Sequence, residues 1–350
     1  MKRIVVIVTI ALVVSAGVSA QDLSGLGRDF EVLIEELGAE ILPDLEQSAI
    51  WGQYTGGATY ADDSGFFLTL STGALLTDGV LGFVDDPDRF TVLNVTNLFE
   101  GILSQIGDTG LSGAVTGLKT FFPVPVARAS VGFALPGDVE AMIGIGGFPQ
   151  FVTGWIADLA DADSLRLSSL HVGTKLRKGI LEDAGPFPAI SIGAGYSYSG
   201  FTFGYNLADI ESPGTEYGQI DVGLGELNIR GDFLIQSNVH AFGFDLHASK
   251  QFGFFVPYVG VSPYFHFASF GGSVGPGDEF DAFVDYEDDG TERDVEYTGD
   301  APDTAWVEDD LSFVLFGGFD MVFGNVALQL NGSWSVPNGS PGVTINVRRQ

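Results

Sequence analysis

From about residue 123 onward, apolar and polar side chains alternate with a period of two. In 325–334, Val326, Leu328 and Leu330 share one face, with Asn325, Ala327, Gln329 and Asn331 on the other. In 255–269, Val259, Val261, Phe265 and Phe267 oppose Tyr258, Gly260, Ser262, Tyr264 and His266. Phe313, Leu315, Phe319, Met321 and Phe323 likewise oppose Ser312, Gly318 and Asp320, and Val343, Ile345 and Val347 oppose Thr344, Asn346 and Arg348. This alternation predicts strands with one apolar and one polar face. The spacing places them near 65–76, 124–135, 138–148, 165–178, 187–198, 200–208, 217–235, 238–250, 253–269, 311–323, 325–335 and 342–349. That is about 12 strands, within a range of 10–14, with a phase change at Gly225-Glu226.

The first third has a different period. Leu23, Leu26, Phe30, Leu33, Ile34, Leu37 and Ile41 recur at steps of three and four, which predicts an amphipathic helix that Pro43 ends. A Gly-, Thr- and Tyr-rich loop over 51–64 follows, and Val92, Leu93, Val95, Leu98, Phe99 and Ile102 suggest short helix within 85–119.

Alternation alone does not say which face meets water. In a soluble β-protein the apolar faces pack together, whereas in an outer-membrane barrel they meet lipid and the polar faces line the interior. Three features favour the barrel. The polar faces are rich in Gly, Ser, Thr and Asn where a soluble surface would carry Lys and Glu. Tyr196, Tyr198, Phe201, Phe203, Phe270 and Trp334 fall near strand ends, as interfacial girdles do. Tight turns near 250–251 and 324–325 fall at one end, with the long acidic stretch 271–310 at the other, the expected periplasmic and extracellular pattern. The fold class expected is therefore all-β: a closed antiparallel transmembrane β-barrel with an N-terminal helical, plug-like segment.

Lys2-Arg3, the apolar run 4–14 and the small residues ending in Ala20 form a secretory signal pattern, which implies export to the outer membrane. The expected organisation is signal peptide 1–20, helical plug segment 21–64 and barrel 65–350. The chain has no cysteine, excluding disulfides and thiolate metal sites, and its formal net charge of −31 argues against nucleic acid.

Candidate chemistry is sparse. Asp285, Glu287, Asp289, Gly290 and Glu296 fall at positions 1, 3, 5, 6 and 12 of an EF-hand-like spacing. The alternative is a solvated acidic loop that binds a divalent cation only weakly; no other cofactor is expected. His171, Lys175 and Arg177 share a strand face, and a charge facing lipid costs about 2–4 kcal/mol at the midplane, so they should face the lumen. His247 and Ser249 share a face with Asp245, opposite Phe242, Phe244 and Leu246; this points to interior hydrogen bonding and not to lipid hydrolysis at the wall. Strand phase also turns Tyr258, Tyr264 and His266 inward, along a candidate solute path.

The exported helix-then-barrel order resembles the long-chain fatty-acid transporter (FadL-type) family, in which 23–42 would correspond to the plug. That resemblance implies uptake of hydrophobic compounds with release through the barrel wall. The Leu135-Pro136-Gly137-Asp138-Val139-Glu140 turn and the Gly173-Thr174-Lys175 strand are also similar to an uncharacterised bacterial barrel family. The function expected is passage of small hydrophobic or amphipathic compounds without catalysis, with outer-membrane lipid and the barrel-assembly machinery as partners. The alternatives are a structural or adhesin-type barrel whose acidic loop binds cations, and a soluble periplasmic binding protein.

Overall fold

The computed structural model describes residues 24–50, 56–57, 65–78, 121–147, 165–206, 218–221, 226–230, 232–275, 279–285, 295–300, 303–336 and 339–349. A helix, α1 (Ser24–Ile50), comes first. The strands are β1 (Phe66–Asp78), β2 (Phe121–Leu135), β3 (Val139–Gly146), β4 (Leu165–Leu181), β5 (Ala189–Asn206), β6 (Gly218–Asp221) and β7 (Glu226–Arg230). They continue as β8 (Asp232–Ser249), β9 (Phe255–Gly275), β10 (Glu279–Asp285), β11 (Val295–Asp300), β12 (Asp303–Phe323), β13 (Val326–Val336) and β14 (Pro341–Arg349).

Ten of these strands close into a barrel in the order β1-β14-β13-β12-β9-β8-β5-β4-β3-β2, and the other four form a sheet ordered β11-β10-β7-β6. All barrel pairings are antiparallel. Closure comes from β1, where Leu68 aligns with Val131 of β2 on one side and Arg349 of β14 on the other. The turns β2–β3, β4–β5, β8–β9 and β12–β13 fall at one end, together with the start of β1 and the finish of β14. This is the turn end. The finishes of β1, β3, β5, β9 and β13 and the starts of β2, β4, β8, β12 and β14 fall at the opposite, loop end. Left-handed backbone at Gly137 (φ 81°) and Asp138 (φ 57°) makes the β2–β3 turn tight.

The strand count is ten where the sequence pattern suggested about 12, and the physical reason is local. Ser199-Gly200 and Ser237-Asn238 have turn composition, yet β5 and β8 run straight through them. Ser197, Ser199 and Ser237 are buried lumen-facing positions, small because the interior is crowded. The rest of the expected 217–235 strand divides into β6 and β7 on either side of 222–225 and joins the smaller sheet. The stretch 271–310 is also corrected. β9 extends to Gly275, β12 begins at Asp303, and β10 and β11 pair within it.

Pro43 does not end α1, which continues to Ile50. A proline inside a helix costs about 3 kcal/mol. The turns after it are offset by burial: every residue from 45 to 50 is buried. The expected short helix within 85–119 lies outside the described residues, as do residues 1–20.

The faces are inverted relative to a soluble β-protein. Val259 is 62% exposed and Ile145 59%, while His247 and Asn346 are 0% exposed. Phe133, Phe242, Phe244, Phe265, Phe267, Phe313 and Leu315 are exposed too, forming an outer apolar coat far larger than water tolerates. In hydrocarbon such a coat is unpenalised, and a closed barrel leaves no unpaired backbone edge around its closure. Among the described residues no helix is long and apolar enough to cross a membrane.

Candidate functional site

Alternation sends one residue in two into the lumen, and strand pairing then decides which of them meet. Near the turn end, Glu140 of β3 accepts from Arg177 of β4 (3.0 Å) and from Arg348 of β14 (3.2 Å). The Arg348 guanidinium lies 3.8 Å from the centroid of the Phe67 ring on β1. One layer further in, Asp245 of β8 contacts Lys175 Nζ at 2.8 Å and His247 Nε2 at 3.1 Å. The His247 ring leans on Phe316, centroids 4.5 Å apart. Buried charges are tolerated only when paired in this manner.

The N-terminal segment enters the same network. Glu46 of α1 contacts His266 Nε2 of β9 at 2.9 Å, and Gln47 Nε2 donates to the Ser340 carbonyl at 3.2 Å. Further along the chain, the Gly57 amide donates to Asp320 Oδ2 (2.9 Å), and Arg177 Nη1 donates to the Gly57 carbonyl (3.0 Å). Gly56 adopts φ +77°, and a Cβ there would run into the Gln329 amide. A glycine is therefore what position 56 of this crossing point requires. Ile34 packs on Gly272, nearer the loop end of β9 than His266. Helix α1 thus contacts the inner face of β9 at Gly272 and His266, and Gly57 meets Arg177 and Asp320.

Tyr258, Tyr264 and His266 are buried lumenal residues of β9, and Tyr264 and His266 lie 5.7 Å apart ring to ring. His171, Lys175, Asp245 and His247 are also buried inside. The structure joins Lys175, Asp245 and His247 directly, sets His266 against α1, and places His171 across Gly146 from Arg128. Asp285 ends β10 and Glu296 lies in β11, paired with Phe283, so the twelfth position of the EF-hand-like spacing is a strand residue. Glu287 and Asp289 lie outside the described residues. Among the described residues no group of three or more His, Asp or Glu is gathered as a metal site. Sequence reasoning missed Arg128, Glu46 and Gly57. Arg128 was accessible from its parity within 127–129, whereas Glu46 and Gly57 lie beyond the proline taken as the end of ordered helix.

A closed antiparallel barrel with an apolar exterior and a charged, hydrogen-bonded interior defines the class: an outer-membrane-type β-barrel. No protein-family model matches the chain, and no curated protein matches it. Among solved structures it is similar to the outer membrane protease OmpT from Escherichia coli, at 8% identity over 83% of this chain and 96% of that one, TM-score 0.40. It is also similar to the translocator domain of the autotransporter NalP from Neisseria meningitidis, at 8% identity, 93% and 98% coverage, TM-score 0.36. A FadL homologue of Pseudomonas aeruginosa gives 9% identity, 86% and 97% coverage, TM-score 0.26.

Proposed function

We propose that the protein passes small hydrophobic or amphipathic compounds across the outer membrane, without catalysis, and that residues 21–64 act as its plug. The observation that carries this reading is the clamp on Gly57 between Arg177 and Asp320. Hydrogen bonds tie Gln47 and Gly57 to the barrel, an arrangement that can open without unfolding the barrel. The proposed path runs from the loop end past Tyr264, His266 and Tyr258, with Lys175, His171, Asp245 and His247 as further lining. Release follows plug displacement or a wall opening. Residues 1–20 serve as export signal, and insertion uses the barrel-assembly machinery.

The test is flux of a hydrophobic dye, together with conductance, in reconstituted vesicles, comparing the chain from residue 21 with one beginning at residue 65. Removing the plug is expected to raise both severalfold, and Ala at Tyr258, Tyr264 or His266 to change dye flux. Absence of flux from both proteins overturns the reading. A structural or adhesin role is the second reading, favoured by the separate acidic sheet β11-β10-β7-β6 at the loop end. There Asp285 and Glu296 sit beside the last β10–β11 pair and would contribute to weak divalent-cation binding. Calcium titration of Asp285→Asn and Glu296→Gln variants addresses it.

A further inference from the structure

The outer wall carries a recess on the lipid side, where β3 is short. β3 stops at Gly146, while its neighbours β2 and β4 run on to Phe121 and Leu165. Gly147, at φ +118°, closes the last rung by donating to the Ala127 carbonyl. Above that rung lies a cavity of about 620 Å³ against β4, β5 and β8.

Its lining departs from the rest of the exterior. Ile145 and Leu170, both exposed, form an apolar edge continuous with the coat toward the turn end. The remainder includes Ser168, Tyr198, Gln236 and Asn238, a cluster of uncharged hydroxyls and amides beside the apolar coat. The Tyr198 hydroxyl donates to Asn238 Oδ1 at 2.7 Å. It lies over Gly200, where a Cβ would stand 2.9 Å from it, so this glycine lets the phenol rest against the wall. Just below, the Tyr196 hydroxyl and His240 Nδ1 are 2.9 Å apart, and the apolar run Phe242, Phe244, Leu246 begins. The recess therefore sits at the upper rim of the hydrocarbon band.

We infer that this recess binds the uncharged, hydroxylated headgroup of a glycolipid from the surrounding leaflet, with an acyl chain running down past Leu170 and Ile145. The occupant must arrive from the bilayer because the recess opens on the lipid face. Among the described residues no charged side chain lines the cavity, which favours an occupant that is uncharged where it touches. Paired amides beside an aromatic ring satisfy neighbouring sugar hydroxyls, which both donate and accept. Phosphate recognition would instead call for Arg or Lys. The inference needs the lipid-facing exterior but not solute passage.

The experiment offers purified protein diglucosyl diacylglycerol, phosphatidylglycerol or phosphatidylethanolamine of matched acyl chains in mixed micelles, with retention read by native mass spectrometry. The glycolipid is expected to be retained preferentially. Gln236→Leu with Asn238→Leu should weaken retention about tenfold, the loss of one or two hydrogen bonds. Leucine suits a lipid-facing wall, and unchanged heat-modifiable gel mobility verifies the fold; Thr72→Leu, on the exterior of β1 away from the recess, should leave retention intact. Equal retention of all three lipids, preference for the anionic lipid, or indifference to the double substitution each overturns the proposal. Dye flux stays informative about passage in every case.

Discussion

Inward glycines in this barrel make room for a large neighbour. A Cβ on Gly132 would enter the Phe67 ring, and one on Gly260 the Phe316 ring; each glycine is the direct cross-strand partner of that phenylalanine. Phe67 in turn supports Arg348, which helps to neutralise Glu140. Gly132→Val should therefore displace Phe67 and cost about 1–3 kcal/mol, as overpacking does. Phe67→Leu in the same chain should recover part of the loss, measured by urea unfolding in micelles. Glu140→Ala leaves two buried guanidinium groups without their shared carboxylate and should cost about 3–5 kcal/mol by the same measurement. Adding Arg177→Met should cost less than the sum of the two single changes. Residue parity in the sequence turned Arg177 and Arg348 inward correctly. It carries no information on height within the barrel, so their meeting at one carboxylate was not legible.

Among elements, legibility followed the strength of the local pattern. Strands with uninterrupted alternation, such as β9, β13 and β14, were found with the correct face. Ser199 and Ser237 were misread because turn propensity and lumenal crowding select the same small polar residues. Turn-end geometry was harder still, since its bonds join distant loops. Lys250, after β8, donates to the Asp183 carboxylate, and to the carbonyls of Gly185 at 2.8 Å and Phe187 at 3.2 Å. The Gln251 amide donates to the other Asp183 oxygen at 2.6 Å. The Lys250 hydrogen bond, then the Gln251 amide, holds the Asp183 carboxyl below its usual range. A lowered folded-state value means the clasp stabilises above the unfolded carboxyl's range, near pH 4, and is lost as pH falls through the lower folded value. The difference in thermal midpoint between the native chain and Asp183→Asn should thus be present at neutral pH and shrink on acidification. A difference that persists at the acid end would mean the carboxylate charge is not what joins the two turns.

At the scale of the whole molecule, the inverted surface decides which substitutions are tolerated and where. Leu315 lies on the exterior near the middle of β12, aligned with Val261 and, through β9, with Leu246. Phe323 is exposed at the turn end of the same strand, where Phe254 stacks on it at 6.0 Å. In water, Arg at either place would be nearly neutral or even favourable, because both side chains are already exposed. In a bilayer the two sites differ in depth: Arg costs about 2–4 kcal/mol at the midplane and about 0–1 kcal/mol near an interface. Leu315→Arg should therefore lower folding stability in phospholipid vesicles by several-fold more than Phe323→Arg, followed by heat-modifiable gel mobility across a urea series. Both variants should fold comparably in micelles, whose thin, adaptable apolar layer hydrates the guanidinium more easily. Equal losses at the two positions in vesicles would place the hydrocarbon band elsewhere on the barrel. Two losses close to zero would mean that the aromatic and aliphatic coat never meets acyl chains.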